Sequence, residues 1–374
     1  MKSSIWRHFD FWLLGAVAVL IIFGVAMIRS TIAGNIELIE LDIVGRQIIY
    51  ALAGLVVIVI AASQDYRLWI SVSRVLYVIL AILLLFIALS GAGAEGENVR
   101  FGAARWLNIG IVLIQPSELA KITMIILLAD FFARNRERIK QPVWIFRSIL
   151  STLGLVTLIL LQPDLSTSIV LLVIWFALLW ASGLQLKHLA LFGLLGIVGA
   201  AAIFPFLQDY QQQRVINLFF PDPDARHGEN YNVNQALISI GSGGVLGQGY
   251  GQSSQVQLRF LKVRHNDFIF SAISAEFGLI GDIIIIGLLF FVIWRCVRAA
   301  RLSQDTFGAL LAYGVATTIA FHTIVNIGMN IQLLPVTGLP LPFISAGGSS
   351  LLSLMLGIGL VESVIVRHRA LDLA

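Results

Sequence analysis

Apolar runs long enough to cross a bilayer recur from one end of this chain to the other, and this limits its fold more than any other feature. A membrane helix needs about 20 predominantly apolar residues to span the hydrocarbon core. Ten candidate spans can be placed, at about 11–28, 46–63, 69–90, 117–133, 144–161, 165–182, 186–206, 268–296, 306–329 and 345–366. Composition agrees: 58% of the residues are hydrophobic and 12% charged, against about 25% charged in a soluble domain. The expected fold class is an all-α polytopic membrane protein, a bundle of ten transmembrane helices forming one domain over 1–374. Lys2 and Arg7 precede the first run in the manner of a secretion signal. That run exceeds the ~7–15 residues of a signal core, and Arg29 follows it without a small-residue cleavage site, so an uncleaved span is expected. The single Cys296 allows neither an internal disulfide nor a thiolate metal site.

The basic residues set an orientation. Arg134, Arg136, Arg138 and Lys140 follow the fourth span, Lys187 the sixth, Arg295, Arg298 and Arg301 the eighth, and Arg367 and Arg369 the tenth. With ten spans all of these fall on one side together with Lys2 and Arg7, as the positive-inside rule requires, and both termini are cytoplasmic. The formal charge of +4 is therefore a topology signal and does not point to nucleic acid. The other side receives 29–45, 91–116, 162–164, 207–267 and 330–344. The longest, 207–267, lies between helices 7 and 8 and reads as a large extracytoplasmic loop folded back over the outer face.

On this topology spans four, six, eight and ten start at the outer side, and each start is polar: QPSELAK (115–121), QPDLSTS (162–168), HNDFIFS (265–271) and SAGGSS (345–350). Pro116 and Pro163 suit a first helical turn. Free N–H groups and the positive dipole end at such starts favour anions such as phosphates, so four together could line one anion-binding cavity. Each signal also has a plainer reading. Asp164 is a good N-cap, Ser345 and Ser349 permit close helix packing, and Glu118 and Lys121, three residues apart, can neutralise each other.

Asp267 stands out because an ionisable group at the edge of a span is costly unless it caps, pairs or reacts. Gly278 and Gly281 offer a break in the long eighth run, leaving 267–277 as a short interfacial helix. There Asp267, Ser271, Ser274 and Gly278 share a stripe. Glu276 lies about 180° away, too far round to form an acid/base pair with Asp267, and reads as a buried structural acid. A lone carboxylate does not suit glycoside hydrolysis, which uses two. It suits a single displacement in which one base takes a proton from an attacking hydroxyl and a pyrophosphate leaves towards cations and helix ends. Lys262, Arg264 and His265 lie close enough in sequence to hold Asp267 ionised; His265 is itself a second candidate base.

Taken in order, GAARWLNIGIVLIQPSELAK (102–121), LQPDLSTS (161–168), ALISIGSGGVLGQGYGQ (236–252), HNDFIFSAISAEFGLIG (265–281) and NIGMNIQLLPVTGLPLPFISAGGSS (326–350) resemble the SEDS family of shape, elongation and division proteins over nearly the whole chain. PVTGLPLPFIS looks more like the elongation branch, RodA, than the division branch, FtsW. The resemblance implies ten transmembrane helices and a peptidoglycan glycosyltransferase that polymerises lipid II outside the bacterial cytoplasmic membrane and releases undecaprenyl pyrophosphate. It implies Asp267 as the general base that deprotonates the acceptor 4-hydroxyl for inverting attack, and Arg105, Gln115, Glu118, Lys121 and Asp164 as cavity residues; His265, Ser345 and Ser349 complete the substrate-binding candidates. The implied partner is a class B penicillin-binding protein, a transpeptidase. No cofactor is expected; the residues leave open a divalent cation, Mg2+ or Mn2+, at the leaving group, and no tight carboxylate or histidine cluster marks a dedicated metal site.

Several positions depart from the family pattern. The Pro-Glu before the Asp motif is absent from LKVRHND, Asn266 stands where Thr is usual, Ala275 replaces the first of two Glu, Ala346 replaces Tyr, and Ser166 replaces Gly. A lipid II flippase and a non-catalytic scaffold for a penicillin-binding protein are the alternative functions. Against transport stand the lack of an inverted repeat and the gathering of polar groups at one face.

Overall fold

In the computed structural model the described residues are 8–33, 42–90, 106–108, 113–138, 141–184, 186–222, 228–261 and 264–371. They form α1 (Phe11–Ile32), α2 (Ile43–Ser63), α3 (Leu68–Ser90), strands β1 (Leu107–Asn108) and β2 (Leu113–Ile114), α4 (Pro116–Arg134), α5 (Pro142–Leu160), α6 (Leu165–Ala181), α7 (Leu186–Ile203), α8 (Asp209–Phe219), α9 (Gly228–Gly243), α10 (Ser254–Gln257), α11 (Ile269–Leu302), α12 (Thr306–Asn330) and α13 (Gly348–Leu371). The strands pair antiparallel, Leu107 opposite Ile114. Seven helices, α1, α2, α3, α5, α11, α12 and α13, are long and apolar enough to cross a membrane. The chain is a multi-pass, all-α membrane protein. The other three expected spans coincide with α4, α6 and α7.

Aspartates at the edges of the apolar runs start the helices, each accepting a backbone N–H three residues on. Asp10 accepts from Leu13 (3.3 Å), Asp42 from Gly45 (3.2 Å), Asp164 from Thr167 (3.1 Å) and Asp305 from Gly308 (2.7 Å). Pro116 and Pro142 open α4 and α5, where a missing N–H is harmless. Pro163 does not belong to a first turn as its sequence suggested: it precedes the Asp164 cap.

Burial separates the centre of the bundle from its rim. In the apolar window of α13, 89% of residues are buried, and 67% in α12, but only 22% in α3. α3 presents Val75, Ile79, Ile82 and Phe86 outward, and α2 presents Ile48, Leu52 and Val56, surfaces suited to lipid. α13 packs along α2, while α12 packs on α4, α6 and α11.

α11 is a broken helix, and the break falls at Gly278, as its sequence suggested. Gly278 has φ 63° and ψ −165°. Four backbone groups released by the break are taken up by the glycine-rich segment after α9. Gln248 N donates to Ala275 O (3.0 Å) and Gly249 N to Glu276 O (2.9 Å), while Leu279 N donates to Gly244 O (2.9 Å) and Ile280 N to Val245 O (3.2 Å). Unsatisfied backbone groups at membrane depth cost several kcal/mol each, so the glycine-rich segment completes α11. The expected loop 207–267 carries, among its described residues, α8, α9 and α10, and α9 packs against α11.

One end of the bundle collects basic side chains. Arg67 Nε donates to Asp305 Oδ2 (2.9 Å), Arg134 Nε to Asp130 Oδ1 (2.6 Å), Arg136 Nη1 to Thr306 Oγ1 (3.5 Å) and Arg367 Nη2 to Ser63 O (3.2 Å). Arg295 pairs with Asp10, whose backbone N–H donates to Glu362 Oε2 at 3.0 Å. The 19-residue α4 separates this end from Gln115 by about 28 Å.

Candidate active site at the convergent helix starts

At the far end of α4 the polar starts meet. Gln115 caps the helix, and its Nε2 donates to Asp164 Oδ2 (3.3 Å), which ties α4 to α6. Gln115 N donates to Ser349 Oγ (3.0 Å), and that hydroxyl donates to Leu113 O (2.7 Å). Ser345 Oγ accepts from Leu341 N (2.9 Å) and donates to Asn266 O (2.8 Å), and Ala346 N donates to His265 O (3.0 Å). α13 starts at Gly348, so Ser345 precedes the helix instead of lying in its first turn. Asp164, Ser345 and Ser349 each have a structural task in this network, as caps or cross-links.

Asp267 sits just before α11, only 7% exposed. Its backbone carbonyl accepts from Asn326 Nδ2 and Asn330 Nδ2, both at 3.1 Å. Asn330 Oδ1 in turn accepts from Ser271 N (3.2 Å) and Ser271 Oγ (2.5 Å). On the carboxylate side lies Gly338, where an added Cβ would stand 3.9 Å from Asp267 Oδ2. Arg264, one of the three basic residues expected near Asp267, hydrogen-bonds to other groups. Its guanidinium donates to Thr31 O (2.5 Å) and Leu261 O (3.2 Å), and burial with the nearby Arg259 pushes its pKa down. Lys262 and Arg105 lie outside the described residues.

Deeper along α4, Lys121 Nζ donates to Glu118 Oε1 (2.8 Å), confirming the expected pair. Sequence reasoning missed its third member: His322 Nε2 of α12 lies 3.3 Å from Lys121 Nζ, and all three side chains are buried. It also missed Asn326 and Asn330. A signal for them existed, because His322, Asn326 and Asn330 recur every four residues and place one polar stripe on an otherwise apolar helix. Among the described residues no group of three or more His, Cys, Asp or Glu is placed to hold a metal ion.

Beside this network opens a cavity of about 230 Å³, between α2, the β-hairpin and the start of α13. Arg46 and His265 supply cationic or donor groups to its wall, Tyr50 and Trp106 aromatic faces, and Gly347 and Gly348 bare backbone. Gln47 clamps the last segment: its Oε1 accepts from Gly347 N (3.3 Å) and its Nε2 donates to Ser345 O (3.4 Å). His265 and Asn266 line the cavity, and the carboxylate of Asp267, the next residue, lies near Gly338. The site therefore brings Arg46, His265 and bare backbone together with the buried Asp267 next in sequence.

Similarity to known proteins covers the whole chain. Peptidoglycan glycosyltransferase MrdB of Escherichia coli (strain K12) is 36% identical over 379 aligned positions, spanning 99% of this chain and 98% of that protein. Stage V sporulation protein E of Bacillus subtilis (strain 168) is 33% identical, over 85% of this chain and 86% of its own. Among solved structures, a chain described under structural coordination of polymerization and crosslinking by a peptidoglycan synthase complex superposes with a TM-score of 0.79 at 27% identity, covering 97% of this chain and 98% of that one. The rod shape determining protein RodA of Thermus thermophilus gives a TM-score of 0.69 at 28% identity, covering 96% and 97%. The family model of cell cycle proteins of the FtsW, RodA and SpoVE type matches residues 11–370, and the chain belongs to that family.

Proposed function

We propose that this protein is a peptidoglycan glycosyltransferase that polymerises lipid II on the outer face of the bacterial cytoplasmic membrane during elongation. The observation that carries the reading is the full-length likeness to a protein named peptidoglycan glycosyltransferase. Ten helices cross the membrane, both termini are cytoplasmic, and the end of the bundle rich in paired arginines faces the cytoplasm. The convergent helix starts then face outside, where the lipid-linked disaccharide is presented.

Asp267 is the general base. Its carboxylate takes the proton from the acceptor 4-hydroxyl as that oxygen bonds to the donor anomeric carbon. The bond from that carbon to the diphosphate oxygen breaks, and the electron pair leaves on undecaprenyl pyrophosphate. One base suffices because the leaving group needs charge stabilisation, not protonation. Asn326 and Asn330 hold the Asp267 backbone, which fixes where the carboxylate starts. Gln115 and Asp164 tie the starts of α4 and α6 together, Glu118 and Lys121 form a buried pair within α4, and Arg105 completes the proposed substrate-binding set. No step is routed through a divalent cation; comparing Mg2+ or Mn2+ with EDTA in the polymerisation assay decides whether one assists the leaving group. A class B penicillin-binding protein is the partner that cross-links the product; the structural neighbour described as a peptidoglycan synthase complex supports this.

The purified chain with its partner, given labelled lipid II, is expected to yield glycan polymer. Asp267→Ala is expected to lower the rate by at least about 100-fold, the lower range for loss of a general base. Polymer formed at the wild-type rate by Asp267→Ala removes the catalytic assignment. Translocation of lipid II in vesicles without polymer assigns a flippase instead.

A further inference from the structure

We infer that His322 is a positioning residue of the proposed reaction: fixed in one neutral tautomer by Lys121, it holds the 337–341 segment that lies beside the Asp267 carboxylate. The role rests on the glycosyltransferase reading above.

Residues 335–341 form neither helix nor strand, so their backbone carbonyls have no ladder and depend on side-chain partners inside the bundle. Neighbouring helices supply these one by one. Ser166 Oγ of α6 donates to Thr337 O (2.5 Å), and Asn326 Nδ2 of α12 donates to Leu339 O (2.8 Å). The next carbonyl, that of Pro340, interacts with the ring of His322, one turn back along α12. Between these held points lies Gly338, where an added Cβ would stand 3.9 Å from Asp267 Oδ2. Asn326 Nδ2 and Asn330 Nδ2 also hold the backbone carbonyl of Asp267. The stripe His322, Asn326 and Asn330 therefore binds both the backbone of the base and the segment beside its carboxylate.

Lys121 fixes the state of the ring. An ammonium group only donates. Lys121 Nζ is paired with Glu118 at 2.8 Å and lies 3.3 Å from His322 Nε2, with both Lys121 and His322 buried. Nε2 is therefore the acceptor, the single ring proton is on Nδ1, and the imidazole is neutral. Pro340 has no N–H, so only its carbonyl can meet the ring. Nδ1 closes no full hydrogen bond in this state. A buried donor short of its acceptor is costly, which favours drawing the 337–341 segment inward. Active-site hydrogen bonds commonly shorten in this way once substrate binds.

Kinetics and NMR on the full chain separate this role from plain packing, with every rate taken per mole of folded protein. His322→Leu keeps an apolar bulk and removes both contacts. With the partner present and labelled lipid II as substrate, it is expected to lower kcat by about tenfold to a hundredfold, the cost of a misplaced reacting group. KM is expected to stay unchanged, as when an interaction made only in the transition state is lost. His322→Gln, whose amide can accept from Lys121 and donate to Pro340 O, is expected to recover most of that loss. Thr323→Val is the control: the Thr323 hydroxyl donates to Ile319 O (2.8 Å) within α12, and kcat should stay at the wild-type value. Nitrogen-15 NMR of histidine-labelled wild type reads the ring directly, with the His322 signal assigned by its loss in His322→Gln, and is expected to show the neutral Nδ1–H tautomer. An Nε2–H tautomer or an imidazolium overturns the inference even where His322→Leu fails to fold. Wild-type kcat in folded His322→Leu overturns it, as does a His322→Gln no more active than His322→Leu, which leaves His322 a packing role. A raised KM at unchanged kcat assigns His322 to substrate binding and overturns it as well. If the wild type polymerises lipid II and any of these results appears, the positioning role fails and the function stands. If the wild type forms no polymer while NMR shows the Nδ1–H tautomer, the function fails and the link from Lys121 to His322 stands.

Discussion

Replacing Gly278 by alanine tests whether the glycine-rich segment is an integral part of α11. An added Cβ would meet Gly247 N at 2.4 Å and Val245 O at 2.6 Å, and both are backbone atoms with no side-chain torsion to relieve the contact. Alanine must also adopt φ 63° and ψ −165°, a conformation that costs a residue with a Cβ about 1–3 kcal/mol. Relieving the clash moves the segment away and weakens four backbone hydrogen bonds across the break, each worth about 0.5–1.5 kcal/mol net. A loss of at least about 3 kcal/mol follows. For a chain of 374 residues that corresponds to a fall of about 4 °C in the midpoint, on the usual unfolding entropy per residue. Tryptophan fluorescence during thermal unfolding in detergent measures it. Gly287→Ala is the control: it lies in the same helix with nothing within 4 Å of its added Cβ, and alanine there should be neutral or stabilising by up to about 1 kcal/mol. If Gly278→Ala and Gly287→Ala melt together, the break is not held by its glycine and the account of α11 is wrong.

Other outcomes follow from the same structure. Glu118→Gln leaves the buried Lys121 without its counter-charge and is expected to destabilise by about 3–5 kcal/mol, while the double variant Glu118→Gln/Lys121→Met recovers much of that loss; thermal unfolding of the three proteins checks the non-additivity. Burial pushes the Asp305 carboxyl up, but hydrogen bonds from Gly308 N, Tyr66 and Arg67 outweigh it and hold its pKa below the ordinary value. A carboxylate depressed on folding stabilises above its unfolded pKa of ~3.9 and loses that contribution as pH falls through the folded value, so Asp305→Asn should flatten the acid limb of the stability curve below about pH 4. Burial and the hydrogen bond to Asp305 push Tyr66 up to about 12. Its contribution is complete below ~10, the unfolded value, and is lost as pH rises towards 12; tyrosinate absorbance of wild type against Tyr66→Phe reads the late titration directly.

The membrane class, the paired-arginine end and the polar helix starts were legible because each is written in consecutive residues. Apolar run length decides spanning, and an aspartate three residues before the N–H it caps is a local signal. The break at Gly278 was legible for the same reason. Two features were not legible, for one reason. Arg264 is adjacent to the Asp267 motif yet bonds Thr31 O, 233 residues away, and the polar stretch 207–267 includes α9, whose glycine-rich tail completes a helix elsewhere.

The amino-acid sequence alone settled that this chain lies in a bilayer, where most of its helices start, and to which family its motifs belong. Tertiary structure alone decided which polar groups meet: His322 with Lys121 across 201 positions, Asn326 and Asn330 under Asp267, and Arg46 and His265 on the wall of one cavity. The division is physical. Hydropathy and capping act within a turn or a span, whereas a buried polar side chain must find its partner wherever the packing of other helices puts one.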